Sequence, residues 1–131
     1  TLLAPRIEFG ADGGRFPAGE PARGVIELPP HPPVASASAY AQWYTEGKGT
    51  PEEGPEIPAE VAPAGQGPGG AQRFSFEVPL PLTPFSYDGT IVKIRWRLVV
   101  RVAYPGHLPV THPYHFTVVA PPDRGATPYR A

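Results

Sequence analysis

Side chains able to hold a metal, attack a carbonyl or move a proton are sparse in this chain, so their spacing decides what each could do. His107, His112 and His115 lie within nine residues and form its one cluster of metal-ligand type. On a strand, His107 and His115 share a parity that His112 lacks, so His112 and His115 meet at one site only if Pro113 marks a bulge. His107 and His115 would also stand at least ~25 Å apart along a regular strand. The cluster therefore reads as two surface histidines and one partly buried, hydrogen-bonded one, with no metal and no cofactor expected.

Ser36, Ser38, Ser75 and Ser86 are nucleophiles by type alone, since no Gly-x-Ser-x-Gly elbow surrounds any of them. Ser86, in Pro-Phe-Ser-Tyr-Asp-Gly, is expected to hydrogen-bond its own turn. Glu52 and Glu53 sit in a Pro/Gly-rich loop that gives acid–base chemistry neither burial nor orientation. Gly65 to Gly70 lacks the Lys-Ser/Thr sequel of a phosphate cradle. No catalytic residue is assigned, and an enzyme is not expected.

The charge pattern says more. Lys93, Arg95, Arg97 and Arg101 fall on one face of one strand, about 6.6–7 Å apart. Such a row repels itself unless something neutralises it: either Glu side chains of neighbouring strands, such as Glu77, or a ligand. Arg predominates, which permits bidentate contacts to carboxylate or phosphate. The row is thus the candidate partner-binding site, suited to an acidic or phosphorylated peptide. The stretch from Glu46 to Glu60 is the acidic counterweight, with five Glu against Lys48. A pI near 6.4, with no aromatics interleaving the basic row, argues against nucleic acid.

The elements that would position these residues follow from composition and alternation. The 131 residues suit one domain, and 21 Pro with 15 Gly would suggest low complexity. However, Leu, Ile, Val and Phe exceed a fifth of the chain, net charge is only −1, and Pro and Gly punctuate apolar runs. With no Cys, disulfides and thiolate sites are excluded. No apolar stretch approaches the ~20 residues of a membrane-spanning helix, and the opening TLLAPRIEF resembles no export signal, so a cytoplasmic protein is expected. Nine Arg against two Lys, with abundant loop Pro, fits a GC-rich, thermophilic source.

No apolar period of 3.6 lasts beyond two turns, whereas alternation is widespread. Leu3, Ile7 and Phe9 mark a first strand, the run from Phe16 to Pro21 a turn, and Arg23 to Leu28 a second strand. Val34 to Thr45 is a third, with Ala35, Ala37, Ala39, Ala41 and Trp43 inward and Ser36, Ser38, Tyr40, Gln42 and Tyr44 outward. One short strand is expected around Glu56 to Ala62, then a flexible Gly65–Gly70 tip. Phe74, Phe76 and Val78 follow on another strand, and Pro79 to Gly89 is an extended connection. Thr90 to Tyr104 turns Val92, Ile94, Trp96, Leu98, Val100 and Val102 inward. After a Pro105-Gly106 turn, His107 to Val119 returns. The expected core holds Trp43, Phe74, Phe76, Ile94, Trp96, Leu98, Val100 and Phe116. This predicts an all-β, two-sheet antiparallel β-sandwich of about seven strands, immunoglobulin-like, over residues 1–119. Residues 120–131 read as a loosely held tail.

Four segments then resemble the arrestin-like superfamily in order and spacing. They are Phe16-Pro-Ala-Gly-Glu before Gly24-Val-Ile-Glu-Leu; Trp43-Tyr-Thr-Glu-Gly-Lys-Gly; Phe74-Ser-Phe-Glu-Val-Pro; and Pro84-Phe-Ser-Tyr-Asp-Gly leading into Ile94-Arg-Trp-Arg-Leu. The likeness spans roughly residues 5 to 119 and suggests a bacterial or archaeal single-domain member. Arrestins usually carry two such sandwiches, so the inter-domain polar core is not transferred, nor are phosphate-sensing residues. The resemblance implies a scaffold or adaptor that binds a protein or peptide. The alternative is a small-molecule or carbohydrate-binding sandwich using Tyr40, Tyr44 and Tyr87. Unpaired sheet edges offer a route to a homodimer, with Pro109 and Pro113 guarding one of them.

Overall fold

The computed structural model describes residues 4–30 and 34–121. Within them the chain forms ten strands and no α-helix. The strands are β1 (Arg6–Phe9), β2 (Arg15–Pro17), β3 (Pro21–Leu28), β4 (Ser36–Gly47), β5 (Ile57–Pro58), β6 (Glu60–Gln66), β7 (Gln72–Pro79), β8 (Tyr87–Asp88), β9 (Val92–Ala103) and β10 (Val110–Val119). One sheet runs β1-β3-β7-β6; the other runs β2-β10-β9-β4-β5, with β8 also paired to β9. The two pack face to face as a sandwich. Leu3 and residues 122–131 of the expected tail lie outside the described residues.

Alternation explains the packing. β3 and β7 contribute Ile26, Leu28, Phe76 and Val78; β9 contributes Trp96, Leu98, Val100 and Val102; β10 contributes Phe116 and Val118, all buried in one core. Ala39 and Ala41 of β4 are buried among them, and their small size admits the facing sheet. Phe9, Phe16, Phe76, Phe116 and Trp96 form a chain of ring contacts with centroids 5.9–6.1 Å apart. Gly24 is required there. A Cβ on it would press into the Glu8 carbonyl and the Phe76 ring.

Several expectations are corrected. Ten strands form among the described residues, because short ladders are invisible to alternation. Residues 56–62 divide into β5, in the larger sheet, and β6, in the smaller. Phe16-Pro17 is a strand, and it pairs with β10 in parallel, the one parallel ladder among the described residues. The turn follows it, with Gly19 at φ 81°. Pro68–Gly70 forms a 3-10 turn after β6. Ala35 is exposed, while Gln42, on the outward parity of β4, is 7% exposed. Val99, on the outward parity of β9, is also buried, between Tyr40 and Pro113. Trp43 and Phe74 are half-buried against the core. Ile94 is half-buried and faces Tyr87 of β8 at the sheet's end, not the core proper.

Candidate functional site

The ladders of the larger sheet fix which residues meet on its outer face. β9 lies between β10 and β4, with His115, Arg97 and Gln42 in one row and Thr111, Arg101 and Ser38 in another. Arg95 stands opposite Tyr44, and Lys93 opposite Glu46. Beyond Trp96, β10 parts from β9 and β8 takes its place, pairing Tyr87 with Ile94 and Asp88 with Lys93. The fork is closed by Ser86. Its N–H donates to the Val118 carbonyl at 2.8 Å, and its Oγ accepts from the Val118 N–H at 2.9 Å. Ser86 therefore ties two segments together and does not bond its own turn.

The predicted row Lys93, Arg95, Arg97 and Arg101 does share this face, and carboxylates hold three of its cations. Lys93 Nζ is 3.4 Å from Asp88, Arg95 Nε 2.8 Å from Glu46, and Arg97 Nη2 2.7 Å from Glu53. Arg101 has no ion pair among the described residues. Glu77, expected to serve the row, belongs to the smaller sheet and pairs with Arg23 at 3.1 Å. The hydrogen bond to Glu46 is the main cause that raises the Arg95 guanidinium above its ordinary value, with the charges of Glu46 and Asp88 adding to it. Since both partners are largely exposed, salt screens this pair.

Arg97 is held more completely. It also donates to Gln42 Oε1 at 2.8 Å, and its guanidinium lies 4.6 Å from the centre of the Tyr44 ring. Tyr44 Oη and His115 Nε2 are 2.7 Å apart. The Gln42 amide donates in turn to the Gly54 carbonyl at 2.9 Å. The loop bearing Glu53 and Gly54 thus folds over β4, which is why Gln42 is buried on an outward parity. His112 pairs opposite Val100 and His115 opposite Arg97, so the two histidines face opposite sides of the sheet.

An open groove of about 580 Å³ runs along this face beside the fork. Tyr44, Arg95 and His115 form its sheet side, and Ser86, Tyr87 and Asp88 its loop side. Leu82, Phe85, Tyr87 and Ile91, in the adjoining connection, are exposed large apolar side chains. Sequence reasoning found the cations, the Tyr residues and the local excess of Glu. It did not find which carboxylates fold back, because the Glu53 loop pairs with β4 through a single bridge to Tyr44. No protein-family model and no curated protein matches the chain. No helix among the described residues is long and apolar enough to cross a membrane.

Proposed function

We propose that this chain is a non-catalytic protein-interaction domain, an arrestin-like scaffold or adaptor, whose partner docks on the outer face of the larger sheet. The observation that carries the reading is that Leu82, Phe85, Tyr87 and Ile91, all in the connection between β7 and β9, are exposed large apolar residues, and that Tyr87 among them lines the groove. Large apolar side chains left in water along one segment are costly and mark contact surfaces. The cations refine the reading. An acidic segment entering the groove exchanges a protein carboxylate on Arg95 for its own, which changes little in net energy. The charges then select and orient the partner, and the apolar residues supply the affinity. The order of the arrestin-like motifs supports the same class of function.

The test is capture of a partner from the source cell, identified and then assayed with purified components. Tyr87→Ser with Ile91→Ser should weaken capture at every salt concentration. Arg95→Glu with Arg97→Glu should weaken it most at low salt. Folded variants that both capture like the parent would remove the face from consideration. A second reading draws on the groove volume, which falls in the range of small-molecule sites, and on its Tyr walls. A sugar or metabolite that raises the melting temperature by several degrees, through Tyr44 and Tyr87, would favour it.

A further inference from the structure

The cationic row is not uniform along its length. Lys93, Arg95 and Arg97 each meet a carboxylate of the chain, whereas Arg101, at the far end, has neither an ion pair nor a side-chain hydrogen bond among the described residues. Arg101 is exposed, and the register sets Thr111 of β10 on one side of it and Ser38 of β4 on the other, both exposed as well. Opposite residues on one face have Cβ atoms about 4.5–5.5 Å apart, so both hydroxyls stand within reach of a group held by the guanidinium. An acid arriving at Arg95 must displace Glu46, and one arriving at Arg97 must displace Glu53. At Arg101 nothing is displaced. A new ion pair is therefore a net gain there, while elsewhere on the row it is nearly cancelled.

A continuous surface joins this end of the row to the groove. Arg95 lines the groove, and Arg101 follows it by six residues, about 20 Å along a regular strand. On β10 the exposed His115, Pro113 and Thr111 lie opposite Arg97, Val99 and Arg101 and face the same way. The loop that seals Gln42 and sets Glu53 on Arg97 bounds this surface on the β4 side. On the other side β2 joins β10 only from Thr117 to Val119, and Pro113 has no N–H to offer a further strand. Contact here is thus made by side chains, not by extending the ladder.

We propose that the partner is an extended peptide that sets an apolar side chain in the groove and an Asp or Glu six residues away, on Arg101. This rests on the reading that a partner docks on the outer face, and adds the spacing at which its acid is recognised. Side chains of an extended peptide return to one face at every second residue, with the same rise as β9 itself. A spacing of six brings the acid over Arg101, and a spacing of five turns it to solvent. A spacing of two brings it to Arg97, where Glu53 already sits and repels it. The planar guanidinium of Arg101 receives the carboxylate through two parallel hydrogen bonds.

Fluorescence polarisation with labelled, acetylated peptides tests the spacing. Each peptide carries Phe-Leu in a Thr/Ser/Gln background, with one Asp two, five or six residues from the Phe, in either direction; a control has no Asp. At low salt the six-spaced peptide of one polarity should bind about three- to fivefold more tightly than the control, an advantage that fades at about 0.5 M salt. The other spacings should gain less than about twofold. Arg101→Met, at an exposed position that pairs with no other side chain, should bring the six-spaced peptide down to the level of the control. Tyr87→Ser with Ile91→Ser should weaken every peptide alike. An equal gain at all spacings, or a six-residue gain that survives Arg101→Met, would overturn the spacing and leave the docking face in place. Binding that ignores Tyr87→Ser with Ile91→Ser would remove the docking face itself. No saturable binding of any peptide at about millimolar concentration would also overturn the proposal, and the face is then judged by partner capture alone.

Discussion

Along β9 the inward side chains Trp96, Leu98, Val100 and Val102 are fully buried, whereas the outward Lys93, Arg95, Arg97 and Arg101 reach solvent. Neighbouring residues of one strand thus live under different physics. On the inner face, stability follows volume removed from water, and each residue meets many partners at once. On the outer face it follows individual pairings, each graded by how much water surrounds it. Arg97 is the most enclosed cation, with a side chain 25% exposed, while those of Lys93 and Arg95 are 42% exposed.

The contrast breaks if the ordering of substitutions fails. Trp96→Ala should be the most damaging, costing about 3–5 kcal/mol in urea denaturation, because it empties a fully buried ring site. Arg97→Met should come next, at about 1–2 kcal/mol, since it leaves the buried Gln42 Oε1 without its donor beneath the Gly54 loop and releases the exposed Glu53. A loss from Arg97→Met as large as from Trp96→Ala would abolish the distinction between the faces.

Tyr114→Phe probes the joint between the sheets, where the phenol donates to the Pro5 carbonyl. It should cost about 1 kcal/mol at neutral pH. Burial raises the Tyr114 phenol above its ordinary 10.0. The folded chain then ionises later than the unfolded one, so this contribution is whole below pH ~10 and is lost as pH rises through the folded value. The gap between the parent and the Phe variant should therefore narrow in alkali; a gap constant to pH 11 would contradict this.

The exposed pairs come last. Arg95→Met should lower stability slightly at low salt and not at all at about 0.5 M salt, as melting curves in both conditions would show. Arg101→Met should stay within about 0.5 kcal/mol of the parent. A larger loss there than at Arg97 would mean that pairing does not govern the outer face.

Alternation along the chain was enough to set the all-β class, the approximate course of β3, β4, β7, β9 and β10, and most of the core. Strict alternation over six or more residues leaves one face to bury, so the inward set follows directly. It also determined that four cations share a face of one strand. What neutralises them came only with the folded chain. Glu46 is the register partner of Lys93, two residues along β9 from Arg95, but Glu53 and Asp88 arrive on a loop and a two-residue strand that carry no periodic signal. The same holds for Phe16-Pro17 in its parallel ladder, for Gln42 sealed by Gly54, and for Trp43 left half open between prolines. Periodicity reports which side of a strand faces the core. Long-range pairing depends on where loops return, and in this chain proline and glycine shape those loops without marking their destinations.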